Sequence, residues 1–81
     1  MKIRLLYFAS LRDLVGMREE ELTLPEGMTV EGLREHLAQL HPRLQEAMNS
    51  LILSVNREYG MPEAELRDGD VVAIFPPISG G

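Results

Sequence analysis

Cysteine is absent from this chain of 81 residues, and several kinds of chemistry are absent with it. No disulfide framework, thiolate nucleophile or cysteine-ligated zinc or iron–sulfur centre can form. A small domain without such staples must rest on packing alone, which suits the cytoplasm. No apolar run approaches the ~20 residues of a membrane span, so no membrane partner is expected. The strand-like start leaves no place for a signal peptide. No glycine-rich loop introduces a helix to cradle phosphate, and no serine, histidine and aspartate fall into a nucleophile–base arrangement. Lysine is confined to Lys2, and acidic residues outnumber basic ones 13 to 8, for a net charge of -5. That balance argues against a nucleic-acid backbone as partner and favours basic protein surfaces.

What is present describes one small folded unit. The hydrophobic fraction of 44% is too high for a disordered chain. A domain of this length buries roughly 60–65% of its unfolded surface, enough for one core but with little room for an internal catalytic pocket.

Lys2 to Phe8 (KIRLLYF) has the period-two pattern of a strand, with Ile3, Leu5 and Tyr7 on one face and Lys2, Arg4, Leu6 and Phe8 on the other. Ala9 to Val15 reads as a short helix capped by Ser10, with Leu11, Leu14 and Val15 as its buried stripe and Gly16 as its left-handed stop. Glu20 to Leu24 is a second strand with Leu22 and Leu24 inward, closed by the Pro25-Glu26-Gly27 turn. Thr29 caps the main helix, whose Val30, Leu33, Leu37 and Leu40 recur at helical spacing. Pro42 ends that helix at His41 and opens a short helical turn carrying Leu44, Ala47 and Met48.

Leu51 to Asn56 is strand-like, with Leu51, Leu53 and Val55 on one face. The stretch from Asn56 to Asp70 is rich in turns and anchored by Tyr59 and Leu66, with Asp68-Gly69-Asp70 as a tight turn. Val71 to Phe75 is a buried strand that Pro76-Pro77 stops, since proline cannot donate to a ladder. One main helix and a short extra helix on a small sheet make an α+β domain. The first and last strands are the most hydrophobic, so both are expected near the centre. With no tight hairpin joining them, they are expected to pair in parallel.

Most of the polar residues read as structure. His36 and His41 lie about 140° apart on a helix, which is not the geometry of a shared metal, and both read as solvated. Asp68 and Asp70 read as a polar turn, Asn56-Arg57 as loop, Glu19 to Glu21 as a solvated strand edge, and the methionines as core filler. No metal site is expected.

The C-terminus is different. At an ordinary glycine usage of about 7%, a chance Gly-Gly ending has a frequency of about 0.5%. Here Gly80-Gly81 follows Pro76-Pro77, a pair that holds the chain extended. A stiff exit and a tip without side chains suit threading into another protein's narrow channel, where the reactive group is the α-carboxylate of Gly81. From the tail alone, a floppy terminal segment is the equal alternative. If Val72 and Ile74 point inward, then Val71, Ala73 and Phe75 point outward. Should the first strand lie alongside, Leu6 and Phe8 complete an apolar patch at the root of the tail. Such a patch marks a docking surface, for a partner protein or for a second copy of the chain.

With these residues assembled, the sequence resembles a known family. Phe8-Ala9-Ser10-Leu11-Arg12, the Thr29–Leu40 helix, Val55-Asn56, Asp68-Gly69-Asp70-Val71-Val72 and the ending Phe75-Pro76-Pro77-Ile78-Ser79-Gly80-Gly81 are similar to the small, sulfur-carrying subunits of molybdopterin synthase. The likeness covers the whole chain, and its most specific part is the last. It implies a ubiquitin-like β-grasp domain with a mixed sheet over residues 1–75 and an extended tail over residues 76–81. It implies that an E1-like adenylating enzyme uses ATP to activate the Gly81 carboxylate, while this chain binds no cofactor itself. A sulfur donor protein then converts the terminus to a thiocarboxylate. The tail, Pro76 to Gly80, enters the active site of the large synthase subunit, within a heterotetramer, and Gly81 delivers sulfur to cyclic pyranopterin monophosphate.

The resemblance also adds Tyr59 to the docking residues Leu6, Phe8, Ala73 and Phe75, at a position where the family pattern is aliphatic. Carriers for thiazole synthesis or tRNA thiolation, and ubiquitin-like protein modifiers, share the terminal chemistry. The short helix and the FPP-to-GG ending favour the molybdopterin branch.

Overall fold

The computed structural model describes residues 1–77; the expected tail residues Ile78, Ser79, Gly80 and Gly81 lie outside the described residues. Five strands, β1 (Lys2–Tyr7), β2 (Glu19–Thr23), β3 (Ile52–Val55), β4 (Glu58–Tyr59) and β5 (Val71–Phe75), form one sheet in the order β2-β1-β5-β3-β4. β1 runs parallel to β5, pairing Arg4 with Val71 and Leu6 with Ala73, and the other neighbours are antiparallel. The first and last strands are therefore central and parallel, as their hydrophobicity predicts. This mixed sheet with its helices is the β-grasp, ubiquitin-like fold.

Strand alternation sends Ile3, Leu5, Tyr7, Leu53, Val72 and Ile74 to one face, each at most 1% exposed. Helix α2 (Val30–Leu40) closes over that face with Val30, Leu33 and Leu37, equally buried. At its N-terminus the Thr29 hydroxyl accepts the Gly32 amide at 3.1 Å, as the cap pattern predicts. Leu40 is 39% exposed, because the helix ends before its last turn returns to the sheet.

From Pro42 a 3₁₀ segment runs to Ser50, covering the expected helical stretch, and buries Leu44 and Met48. The Arg34 guanidinium fastens it, donating from one nitrogen to the carbonyls of Met48 at 2.7 Å and Leu51 at 2.9 Å. The methionines divide: Met48 fills the core, whereas Met17 and Met61 are exposed.

Helix α1 (Ser10–Val15) departs from the expected cap. Ser10 is already its first helical residue, and Ala9 occupies the cap at φ 52, ψ -132 without a side-chain bond. That conformation belongs to the first central position of a type II′ turn, here closed by the Leu11 amide donating to the Phe8 carbonyl at 3.1 Å. The turn reverses the chain at once after β1, which a serine cap would not require. Leu11 is buried, but Leu14 is 39% exposed, so the six-residue helix buries a narrower stripe than its spacing suggests.

The expectation of solvated His41 and a solvated glutamate run fails at one point. On the helix-covered side, Glu20 Oε1 accepts from the Tyr7 hydroxyl at 2.9 Å and from His41 Nε2 at 2.8 Å. The Tyr7 and His41 rings meet edge to face at 5.8 Å. The cluster ties β1, β2 and the end of α2 together. It escapes sequence patterning because its members are 13 and 21 residues apart.

Burial, followed by the neighbouring carboxylate, raises the Tyr7 pKa above the ordinary tyrosine value of 10.0. A raised folded-state pKa means that above pH 10 the unfolded chain sheds this proton before the folded one does. The Tyr7 contribution is thus complete below pH 10 and is lost as pH rises further. Tyr7→Phe is expected to cost about 1–3 kcal/mol at neutral pH through the lost bond to a charged acceptor. It should also flatten the alkaline fall in stability, measured by urea melts from pH 8 to 11.5 (about that range).

Candidate functional site

Among the described residues, no helix covers the opposite face of the sheet. The registers place one outward residue from every strand in a single row, Glu19, Leu6, Ala73, Ser54 and Tyr59, from one edge to the other. Around the middle of that row lies an open groove of about 780 Å³, lined by Leu6, Phe8, Ser54, Asn56, Arg57, Val71, Ala73 and Phe75. Four of the five expected docking residues, Leu6, Phe8, Ala73 and Phe75, thus meet as the apolar lining. All four are half-buried, neither core nor fully solvated.

Phe8 and Phe75 are the anchors. Their rings stack at 4.6 Å between centroids with 16° between planes. The Phe8 amide donates to the Ile74 carbonyl at 3.1 Å, carrying the parallel ladder one step past β1. The Arg12 guanidinium carbon lies 5.8 Å from the Phe8 ring centroid, and its Nε donates to the Tyr7 carbonyl at 3.1 Å. Helix α1 therefore serves the site by setting an arginine against the aromatic pair. Arg12 belongs to the FASLR segment but was not expected to have a role; the aromatic residue four positions earlier is the signal that points to it.

Tyr59 corrects an expectation. It is 66% exposed, not an anchor of the irregular stretch, because it sits in β4, a two-residue edge strand absent from the sequence reading. Its register with Ser54 puts it on the same face as the groove, but it is not among the lining residues. Leu66, the other expected anchor, is 4% exposed and does belong to the core.

β4 exists because Asn56 and Arg57 form a two-residue hairpin turn with φ of 51 and 72. Such turns require left-handed conformations at both central positions, where asparagine is tolerated and glycine is preferred second. The polar residues around it lock the turn. Asn56 Nδ2 donates to Asp70 Oδ1 at 2.8 Å, the Val71 amide donates to Asn56 Oδ1 at 3.0 Å, and Asp70 Oδ2 accepts the Arg67 amide at 2.8 Å. Asp68 Oδ1 accepts the Lys2 amide at 2.6 Å. The DGD segment is thus a polar turn, as its composition predicts, and it also fixes one end of the groove.

Pro76 and Pro77 follow β5 directly and are outside any strand. The groove and the root of the tail are thus adjoining parts of the chain, since Phe75 belongs to the first and precedes the second.

Comparison with known proteins shows the family and the fold. A family model described as the ThiS family matches residues 5–81. The molybdopterin synthase sulfur carrier subunit of Chlamydomonas reinhardtii is 40% identical over 83 residues, spanning 100% of both chains. A solved structure from Pyrococcus furiosus, a candidate subunit 1 of molybdopterin converting factor, superposes with a TM-score of 0.88 at 37% identity, over 96% of this chain and 99% of that one. In the complex of subunits 1 and 2 of molybdopterin-converting factor from Helicobacter pylori, the matching chain has the same fold at 22% identity, with a TM-score of 0.71 and full coverage of both chains.

Proposed function

The chain belongs to the ThiS family, among the sulfur carrier subunits of molybdopterin synthase, and from that premise we propose that it carries sulfur on the Gly81 carboxylate and docks through the Phe8–Phe75 groove. The observation that supports this most directly is the solvent-open apolar groove ending at the residue that precedes Pro76.

A chain without cysteine has to hold sulfur elsewhere, and its terminal carboxylate can do so once activated. A carboxylate is a poor electrophile. Attack of its oxygen on the α-phosphorus of ATP, held by an E1-like activating enzyme, releases pyrophosphate and makes AMP the leaving group. Sulfide-level sulfur (HS⁻) released by a donor protein attacks the acyl carbon, expels AMP and, on losing its proton, leaves a thiocarboxylate, which is nucleophilic at sulfur. Delivery to cyclic pyranopterin monophosphate takes place in the large subunit, with this chain contributing the tail Pro76 to Gly81 and no cofactor or metal. The cytoplasm is the compartment proposed. Among the described residues no helix is long and apolar enough to cross a membrane.

Isolation from its own cells together with the large subunit, followed by intact mass, tests the reading. A mass gain of sulfur for oxygen at the C-terminus is expected, and it should vanish when the activating enzyme is removed. A terminus that stays a plain carboxylate when the chain is supplied with the activating enzyme, ATP and the sulfur donor, without the pterin precursor, would overturn it. The thiocarboxylated chain alone is expected to give no dithiolene product from the pterin precursor. Turnover without any large subunit would place the active site in this chain.

A further inference from the structure

We propose that Arg57 is the specificity-determining charge of the docking groove, pairing with a carboxylate on the large subunit; this rests on the groove being the docking site. Among the described residues, Arg57 is the one charged residue that lines the groove. It is exposed and forms no ion pair with any described residue, although the chain as a whole carries a net charge of -5.

Its position is costly. At φ 72 it occupies the second place of the hairpin turn, where glycine would sit without strain. The Asn56–Asp70 and Asn56–Val71 bonds hold that turn independently of the Arg57 side chain. Strain kept by its surroundings at the rim of a binding surface, in an exposed residue whose side chain makes no hydrogen bond or ion pair with any described residue, points to a use outside the chain. The matching group is an anion. The groove lining offers one positive charge beside an apolar surface, and a single carboxylate at the edge of an apolar partner surface fits both features. A rim charge of this kind acts on the rate of encounter and the choice of partner more than on final affinity.

The test uses the full chain and the purified large subunit of the same organism, with association rates followed at low and high salt. Arg57→Gly is expected to slow association roughly three- to tenfold at low salt and to flatten its salt dependence. The same variant should melt a few degrees higher, because glycine relieves the turn. Arg57→Glu should slow association further. A rise in stability joined to a fall in association rate is an outcome that a purely structural arginine would not give. Wild-type association rate and salt dependence in Arg57→Gly would overturn the proposal, as would a lower melting temperature. Phe75→Asp separates the two readings. If it loses binding while Arg57→Gly does not, the groove stands and the charge falls; if both bind normally, the groove itself is wrong.

Discussion

Deletion of Gly81 is expected to abolish sulfur loading while leaving the domain folded. The shortened chain still ends in a carboxylate, now on Gly80, but its reach falls by at most ~3.6 Å. Displacements of ~1 Å at a reacting group can cost about 100-fold, so a loss of at least that size is expected in both adenylation and thiocarboxylate formation, read by intact mass. Adding one residue beyond Gly81 should fail equally, since it moves the carboxylate and puts a side chain in the channel. Gly81→Ala keeps the reach and adds a methyl, so it tests width apart from length. Melting temperatures should be unchanged in all three, because every core residue among those described precedes Phe75. Activation of the shortened chain at the full rate would remove the central claim of the sulfur-carrier reading.

Phe75→Asp is expected to weaken binding to the large subunit by about 2–4 kcal/mol, roughly 30- to 1,000-fold, as aromatic anchors in a desolvated centre do. Phe75 is half-buried and faces away from α2, so its replacement leaves the core intact. The fold loses the Phe8 stack, worth about 0.5–1.5 kcal/mol, and should survive. Calorimetric titration measures the first effect and thermal melts the second. A folded Phe75→Asp protein that bound with wild-type affinity would exclude the groove.

Both predictions draw on features of unequal legibility. Alternation in KIRLLYF and VVAIF reveals which residues face the core. Once the two strands are neighbours it also reveals the outward set Leu6, Phe8, Ala73 and Phe75. Helix α2 is legible from spacing and from Thr29, because a long amphipathic helix repeats its signal several times. Short elements do not repeat theirs. β4 has two residues, both exposed, and its turn has arginine where glycine would have announced a hairpin. Leu14 and Leu40 fit helical stripes, yet each belongs to the closing turn of a helix, where the packing surface runs out. The Tyr7–Glu20–His41 cluster is invisible for another reason: its bonds join residues that only the tertiary fold brings together.

The strand order has a consequence for how the molecule comes into being. β1 with β2, and β3 with β4, are local pairs that short stretches of chain can form, but β5 stands between them and is the last strand to be synthesised. Until it arrives the sheet has a gap at its centre, and each half presents an open edge. Closing that gap in parallel with β1 means closing almost the whole intervening chain into a loop, a slow step by the standards of small domains. A nascent or broken chain that stops before Val71 lacks the central strand and its core residues Val72 and Ile74, and is expected not to fold. Such fragments cannot present the groove, so they cannot occupy a partner without also bearing the root of the tail.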